Sequence, residues 1–240
     1  MQTISHPVFS SSIPAKRIPM NSLRKTSIAA GLFYLISFVS IPTLSLYGPI
    51  HQANYITGPG PDTAVFIGVI LEIIVALAGI GTAVAFYPVL KKQHEGVALG
   101  FVGSRILEAG TIFVGATFLL SAVSLRQSGA GSDALVTGQA LVTLYDRAFL
   151  VGQSFIPAIN GILLGYLLYR SRLVPRILPI IGFIGAVLLL TGDLAVLFGY
   201  AGQREPLTGL FAVPIALWEF SLGIYLVVKG FRPSEITSGK

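Results

Sequence analysis

The sequence predicts an all-α polytopic membrane protein, a bundle of about six transmembrane helices with both termini in the cytoplasm. Composition is the first observation: 53% of the 240 residues are hydrophobic and 11% are charged, whereas a soluble domain carries roughly 25% charged residues. The mean hydropathy of +0.80 agrees. The second observation is a series of apolar stretches near the ~20 residues that cross a ~30 Å hydrocarbon core. The third is the uneven distribution of Lys and Arg between these stretches.

The segment before the first apolar stretch, residues 1–27, contains lysine and arginine but no acidic residue. Such a segment cannot build a packed core, so it is predicted to be a disordered basic cytoplasmic tail. Met20 lies within it and is an alternative start. The apolar run from Ile28 continues to Tyr47 without a small-residue cleavage site, which favours an uncleaved first span over a signal peptide.

The predicted spans form one bundle over residues 28–228, with no soluble domain and a short cytoplasmic tail at 229–240. The spans are 28–47, 64–87, 97–123, 147–169, 177–200 and 209–228. Residues 133–145 are predicted to form an interfacial helical lead-in to the fourth span. A longer helix over 133–169 is the alternative, so whether residues 133–146 are embedded in the membrane stays open.

The orientation of the bundle follows from the connecting segments. Twelve Lys and Arg residues lie in the two tails and in alternate connections, whereas only Arg126, Arg147 and Arg204 lie in the others. The positive-inside rule therefore places both termini in the cytoplasm and the protein in the cell (inner or plasma) membrane. The net charge of +6 does not indicate nucleic acid as a partner, because that requires basic residues on one soluble face. The lipid bilayer is the predicted partner.

An ion pair inside an apolar stretch provides the main functional signal. Arg105 and Glu108 lie in GFVGSRILEAGTIFVGATF, residues 100–118, and a spacing of three places them on one helical face. A charge at that depth costs several kcal/mol, so it normally points at protein or at a water-filled cavity and finds a partner. The other spans supply candidates for a shared polar core or ligand-binding site, namely Glu72, Gln153, Asn160, Asp193 and Glu219.

Depth estimates place several of these groups near the middle of the bilayer. At 1.5 Å per residue, Glu72 and Glu219 lie about 12 and 15 Å from the outer ends of their spans. Arg105 and Glu108 lie about 12 and 16 Å from the inner end of theirs. Three glutamates against one arginine leave an imbalance, so at least one carboxyl is expected to be protonated, bound to a cation or facing water. A cavity at this site is expected to open outward.

Structural roles compete with this interpretation. Arg105 and Glu108 alone are equally consistent with a self-neutralising pair that fixes helix packing. Asp193, near a membrane edge, is expected to be a solvated interfacial residue. Gln153 and Asn160, which with Asp146 recur every seven residues, are typical of interhelical hydrogen bonds worth about 0.6 kcal/mol each.

No chemistry based on thiols or metals is predicted. The chain has no cysteine. His6, His51 and His94 fall in the tail and on opposite sides of the membrane in the predicted topology, so no metal site can be assembled from them. No phosphate loop, HExxH motif or Ser/His/Asp arrangement is present. The sequence therefore predicts no metal and no cofactor, and it identifies no catalytic residue.

Four short motifs resemble the bacterial integral-membrane family catalogued as domain of unknown function 4386. They are SRILEAG (104–110), YDRAFLVGQ (145–153), YRSRLVPR (169–176) and RKTSIAAGLFYLISFV (24–39). The resemblance extends from Met20 to Arg232 and implies a small bacterial multi-spanning protein with an R-x-x-E pair in its third span. The family brings no established activity, so no catalytic role is transferred to any residue.

Three classes of function follow. The first is a protein that binds or transports a proton, a cation or a small amphipathic molecule, with Glu72, Glu108 and Glu219 as ligands and Arg105 tuning their ionisation. The second is a structural or accessory protein whose charges only specify packing. The third is an intramembrane enzyme in which a buried carboxylic acid acts as general acid on a lipid-soluble substrate. The oligomeric state is left open.

Overall fold

A computed structural model of the chain describes residues 20–238. Most of the predicted N-terminal tail and the last two residues lie outside this range. Within it every secondary-structure element is helical and no strand is present. Four helical stretches are long and apolar enough to cross a membrane, namely Asp62–Gln127, Gly131–Ser171, Ile177–Leu197 and Pro206–Val228.

The first helix, α1, spans Met20–Ile36 and so begins before the apolar run at Ile28. A 3₁₀ turn at Ser37–Ser40 and a single helical turn, α2 at Thr43–Leu46, continue it. Shorter 3₁₀ turns at Pro49–His51 and Tyr55–Thr57 then lead to the next helix.

Helix α3, Asp62–Gln127, is a hairpin of two helical arms. His94 has φ −164° and ψ 103°, an extended conformation that divides the helix into arms at residues 62–93 and 95–127. A straight helix of 66 residues would be about 99 Å long, yet Arg126 Nε lies 2.7 Å from Asp62 Oδ1. The two arms therefore run antiparallel, side by side.

The next stretch is a continuous helical rod in which a π-helical turn is inserted. A 3₁₀ turn at Gly131–Ala134 precedes α4, Leu135–Phe149, which passes through the π segment Leu150–Phe155 into α5, Ile156–Ser171. The longer-helix alternative describes this region better than a separate interfacial lead-in.

Helices α6, Ile177–Leu197, α7, Pro206–Val228, and the short α8, Glu235–Ser238, complete the fold. Glycines allow close helix approach. A Cβ on Gly185 would lie 2.6 Å from the Ile215 backbone nitrogen, and one on Gly31 would lie 2.7 Å from the Gly223 carbonyl oxygen. These contacts join α6 to α7 and α7 to α1.

Both described chain ends lie at one end of the bundle. Arg24 near the start of α1 donates to the Leu226 and Val227 carbonyl oxygens at 3.2 and 2.6 Å, and the Arg232 amide donates to the Leu173 carbonyl oxygen at 2.8 Å. We call this end the terminal face and the opposite end the outer face.

Polar side chains occupy a layer between two buried apolar clusters. The cluster nearer the terminal face contains Phe86, Phe101 and Trp218, and the one nearer the outer face contains Tyr47 and Leu119. Along each arm of α3 the polar residues fall between these clusters, as Glu72 does on the first arm and Arg105 and Glu108 do on the second.

Candidate functional site

Arg105 is the centre of a buried ion network. Its Nη1 donates to Glu108 Oε2 at 2.9 Å, and its Nη2 donates to Glu219 Oε1 at 3.1 Å and to the Tyr34 hydroxyl at 3.2 Å. The guanidinium also lies over the rings of Tyr34 and Phe101, 5.4 and 5.7 Å from their centroids, which adds cation–π attraction. The arginine is 6% exposed, so the network joins α1, α3 and α7 away from water.

Asn160 brings α5 into the same network. Its amide nitrogen donates to Glu108 Oε2 at 2.7 Å, and its carbonyl oxygen accepts a hydrogen bond from the Ser104 hydroxyl. The first arm of α3 packs against the Arg105 side chain at Gly79, where a Cβ would lie 3.8 Å from Arg105 Cδ. With both carboxyls ionised, the network would have two negative charges and one positive charge.

Glu72 lies in a second, separate environment. Its Oε1 accepts a hydrogen bond from the Tyr145 hydroxyl at 2.6 Å, and Tyr47 and Gln153 face the same carboxyl. It is 1% exposed, and within residues 20–238 its Oε2 has no hydrogen-bond partner. Glu72 precedes Gly79 by seven residues, or about 10 Å along the helix. The convergence of Glu108 and Glu219 therefore does not extend to Glu72.

A cleft of about 380 Å³ opens at the outer face above Glu72. Tyr47 and Tyr145 form part of its wall, with ring centroids 5.4 Å apart and planes at 80°. Tyr145 thus lies between the cleft and the carboxyl to which it donates. One buried polar atom of the lining, Gln203 Oε1, has no hydrogen-bond partner in the described part of the chain.

Charged side chains connect helix α4 to two connecting segments at the mouth of the cleft. Arg204 Nη2 lies 3.1 Å from Asp146 Oδ1 and also contacts His51 Nε2. The His51 ring lies 2.6 Å from the Tyr47 carbonyl oxygen through Nδ1 and 3.1 Å from Asp146 Oδ1 through Nε2. Gln203 donates to the Asp146 carbonyl oxygen at 2.9 Å.

Asp193 differs from its predicted environment. It was expected to be a solvated interfacial residue, but it is 3% exposed and its Oδ1 accepts a hydrogen bond from the Ser154 hydroxyl. The reason is the π-helical turn, which carries Ser154 and packs against α6. A Cβ on Gly152 of this turn would overlap the Thr111 side chain, so the turn also lies directly against the second arm of α3.

The outer ends of the α3 arms are joined by a polar cluster around Asp62. Arg126 donates to both carboxylate oxygens of Asp62 and, at 3.0 Å, to the Gly58 carbonyl oxygen. Tyr55 and Gln127 donate to the same carboxylate at 2.7 and 2.8 Å. Asp62 precedes the apolar part of α3, and the hydrogen bonds from Arg126 lower the pKa of its carboxyl to about 2.

The geometry extends the predicted set of site residues. Tyr34, Tyr47 and Tyr145 contact the buried charged groups but had no signal of their own, because an aromatic residue in a span is typical of packing or lipid contact. His51 and Arg204 fall in loops that the predicted topology treats as simple connections. Among residues 20–238, no group of three or more His, Asp or Glu residues is arranged to hold a metal ion.

The apolar helices and the buried ion network define a helical bundle of the membrane-protein class. The chain belongs to the family described as "Domain of unknown function (DUF4386)", whose model matches residues 29–230. The resemblance seen in the sequence is thereby confirmed. Comparison with curated proteins and with solved structures gives no match.

Proposed function

We propose that the protein spans the membrane six times, with both termini in the cytoplasm. Each antiparallel arm of α3 is about 48 Å long, so each contains one span of the ~30 Å hydrocarbon core with its ends outside it. Helix α1 with its 3₁₀ and helical extensions supplies another span. An even number of spans agrees with the shared position of both described ends at the terminal face. The excess of Lys and Arg at that face supports a cytoplasmic orientation.

We further propose that the outer cleft binds a small amphipathic cation. The alternative ligand is a proton that enters through the cleft and binds the Glu72 carboxylate. The observation that carries this proposal is the Glu72 carboxyl, which is 1% exposed, has no cationic partner among residues 20–238, and accepts a hydrogen bond from Tyr145 in the wall of the cleft. An ionisable group inside a membrane span normally has a charge partner, so a carboxyl without one is a candidate for binding a proton or a cation.

The chemistry of the lining favours a cation that also has apolar surface. Tyr47, Tyr145 and Phe149 provide aromatic surface, and organic cations bind to such rings by cation–π attraction. Asp146 and Glu205 outnumber Arg204 among the charged lining residues, and the Glu72 carboxyl lies behind Tyr145. This excess of carboxylates would repel an anionic ligand.

The Tyr145 hydroxyl provides the connection between the cleft and Glu72. It donates to the carboxyl at 2.6 Å, while its residue lines the cleft. A cation on the far side of the phenol ring would lie roughly 10 Å from the carboxylate, where two unit charges attract by about 1.7 kcal/mol at an effective dielectric constant near 20. Glu72 would therefore increase affinity for a cation roughly tenfold.

The test is the binding of ethidium, a fluorescent amphipathic cation, to purified protein in a neutral detergent. Glu72→Gln is expected to weaken binding roughly tenfold. The control is Glu95→Gln, which removes an exposed carboxylate near His94, far from the cleft, and should leave ethidium affinity unchanged. Equal affinities for wild type and Glu72→Gln, or no saturable ethidium binding, would contradict the proposal.

The packing function also has a specific observation in its favour, which concerns the Arg105 network. Its hydrogen bonds join α1, α3, α5 and α7 at one level of the bundle, as expected of charges that specify helix packing. We therefore assign the Arg105 network to holding the bundle together and the outer cleft to binding.

A further inference from the structure

The last turn of α5 and the turn that joins it to α6 carry three arginines that line one cavity at the terminal face. Arg170, Arg172 and Arg176 line a space of about 580 Å³ together with Ser234 and Glu235. Arg176 lies over the Tyr169 ring at 4.9 Å. Within residues 20–238 none of the three guanidinium groups forms an ion pair or hydrogen bond. Their donors are therefore available to a ligand.

The turn is held rigidly although its arginines are exposed. Leu173 and Val174, between the second and third arginines, are 0% and 1% exposed. The Leu173 carbonyl oxygen accepts a hydrogen bond from the Arg232 amide at 2.8 Å. Arg172 has φ 56° and closes the α5 helix, with its amide donating to the Leu168 carbonyl oxygen at 3.1 Å. A ligand would therefore meet preorganised backbone.

The cavity has the charge and donors that a phosphate group requires. Three guanidinium groups against the Glu235 carboxylate give a net charge of +2 among the charged lining residues. The Ser234 hydroxyl is buried and has no hydrogen-bond partner within the described residues, so it is free to donate. The planar fork of an arginine matches two phosphate oxygens at once.

An apolar groove of about 450 Å³ begins beside the same turn. Pro175 and Ile177, on either side of Arg176, line its start, and Ile224 and Val228 of α7 continue it between α6 and α7. A dissolved phosphate ion would not use this surface. A molecule with a phosphate head and a hydrocarbon chain would use both the cavity and the groove.

We propose that this site binds an anionic phospholipid, with the phosphate headgroup against Arg170, Arg172 and Arg176 and an acyl chain in the groove between α6 and α7. The positive-inside rule alone accounts for basic residues anywhere on this face. It does not require them to converge on one cavity beside an apolar groove. The proposal is independent of the function assigned to the outer cleft.

The test measures lipid retention by native mass spectrometry after the purified protein is equilibrated with equal amounts of phosphatidylglycerol and phosphatidylcholine. Each charge-assisted contact between an arginine and the phosphate is expected to contribute at least about fivefold to lipid binding. The Arg172→Gln/Arg176→Gln variant is therefore expected to lose about 25-fold in phosphatidylglycerol retention relative to phosphatidylcholine. Both side chains are exposed, so the variant should fold, and its unfolding temperature is measured alongside.

The control removes the same charge from the same face outside the cavity. Lys25→Gln/Lys91→Gln should keep phosphatidylglycerol retention within about twofold of wild type, because neither lysine lines the cavity and salt screens exposed charges that do not contact the phosphate. Arg172→Lys/Arg176→Lys preserves the charge but removes the fork, so it should lose several-fold in retention. Equal loss in the lysine-to-glutamine control and the arginine-to-glutamine variant would reduce the effect to general surface charge and overturn the proposal.

A second arm separates the lipid from free phosphate. Ile224→Trp, at an exposed groove position, should lower phosphatidylglycerol retention by obstructing the acyl chain. Inorganic phosphate should raise the unfolding temperature of wild type and Ile224→Trp equally and weakly. Stabilisation by inorganic phosphate as strong as that by phosphatidylglycerol, with no effect of Ile224→Trp on lipid retention, would assign the site to a soluble phosphate and overturn the lipid proposal.

Discussion

Replacement of Arg105 by methionine should be among the most destabilising single changes in this protein. The substitution keeps an unbranched side chain but removes the donors to Glu108, Glu219 and Tyr34. Glu108 then keeps the Asn160 amide as a partner, whereas Glu219 loses the single donor that the structure gives its carboxylate among residues 20–238. Two acidic groups would remain in a buried layer without the cation between them.

The magnitude follows from the burial of the pair. The side chains of Arg105 and Glu108 are 7% and 10% exposed, and that of Glu219 is 17% exposed. Removal of one partner from a buried ion pair costs about 3 to 5 kcal/mol, because an uncompensated charge stays behind. At ~2 to 4 °C per kcal/mol for a chain of this size, the unfolding temperature should fall by roughly 6 to 20 °C.

The same reasoning specifies which combination restores stability. Arg105→Met/Glu108→Leu removes one pair but still strands Glu219, so it should recover only part of the loss. Arg105→Met/Glu108→Leu/Glu219→Leu removes every ionised group of the network, and such apolar replacements are often neutral or stabilising. The triple variant is expected to unfold within a few degrees of wild type.

The assay is thermal unfolding of purified variants in one neutral detergent, followed by circular dichroism. The control is Arg147→Met, which removes an exposed arginine and should change stability by no more than about 0.5 kcal/mol. An Arg105→Met variant as stable as wild type would show that the network does not hold the helices together. A triple variant as unstable as the single one would show that packing volume, rather than stranded charge, dominates.

Two further predictions concern other contacts. Gly152→Ala should destabilise the fold by about 3 kcal/mol, because the added Cβ would overlap Thr111 and close packing resists added volume. The control is Gly110→Ala, whose Cβ meets nothing within 4 Å and which should be neutral or stabilising. Equal stabilities of the two variants in thermal unfolding would contradict the packing at the π turn. The folded pKa of Asp62 is about 2, below an unfolded value near 3.9. Above about pH 4, its ion pair with Arg126 should therefore stabilise the fold by about 1 kcal/mol, a value that allows for solvent screening. That difference between wild type and Asp62→Asn should disappear as the pH falls through about 2, and a constant difference across this range would refute it.

The sequence was sufficient for the features that depend on helix periodicity. The spacing of Arg105 and Glu108 predicts their ion pair, because residues three apart share a face, and the pair has a nitrogen-to-oxygen distance of 2.9 Å. Mid-bilayer depth also identifies Glu219 as a candidate, and its carboxylate reaches the same guanidinium. Both inferences use only local geometry and the cost of an unpaired charge in hydrocarbon.

Features that depend on irregular backbone could not be predicted from the sequence. Asp146, Gln153 and Asn160 recur every seven residues, which on a regular helix predicts one inward stripe. The three side chains do face the interior, at levels about 10 Å apart along the rod: the cleft mouth, the neighbourhood of Glu72, and the Arg105 network. The π turn at Leu150–Phe155 was not predicted, and neither was the burial of Asp193 against the Ser154 hydroxyl that this turn carries. No composition rule marks such a turn in advance.

The separation of the two polar centres determines how the bundle can respond to a ligand. The Arg105 network fixes α1, α5 and α7 against the α3 hairpin through buried, charge-assisted hydrogen bonds, which are the stronger kind. The mouth of the outer cleft is held instead by loop residues, and the Arg204 side chain is 48% exposed, where an ion pair contributes at most about 1 kcal/mol. Local opening draws on the least stable contacts of a structure. On the proposed function, the cleft would therefore widen at the outer face and admit a ligand toward Tyr145 and Glu72 while the Arg105 network keeps the helices in place.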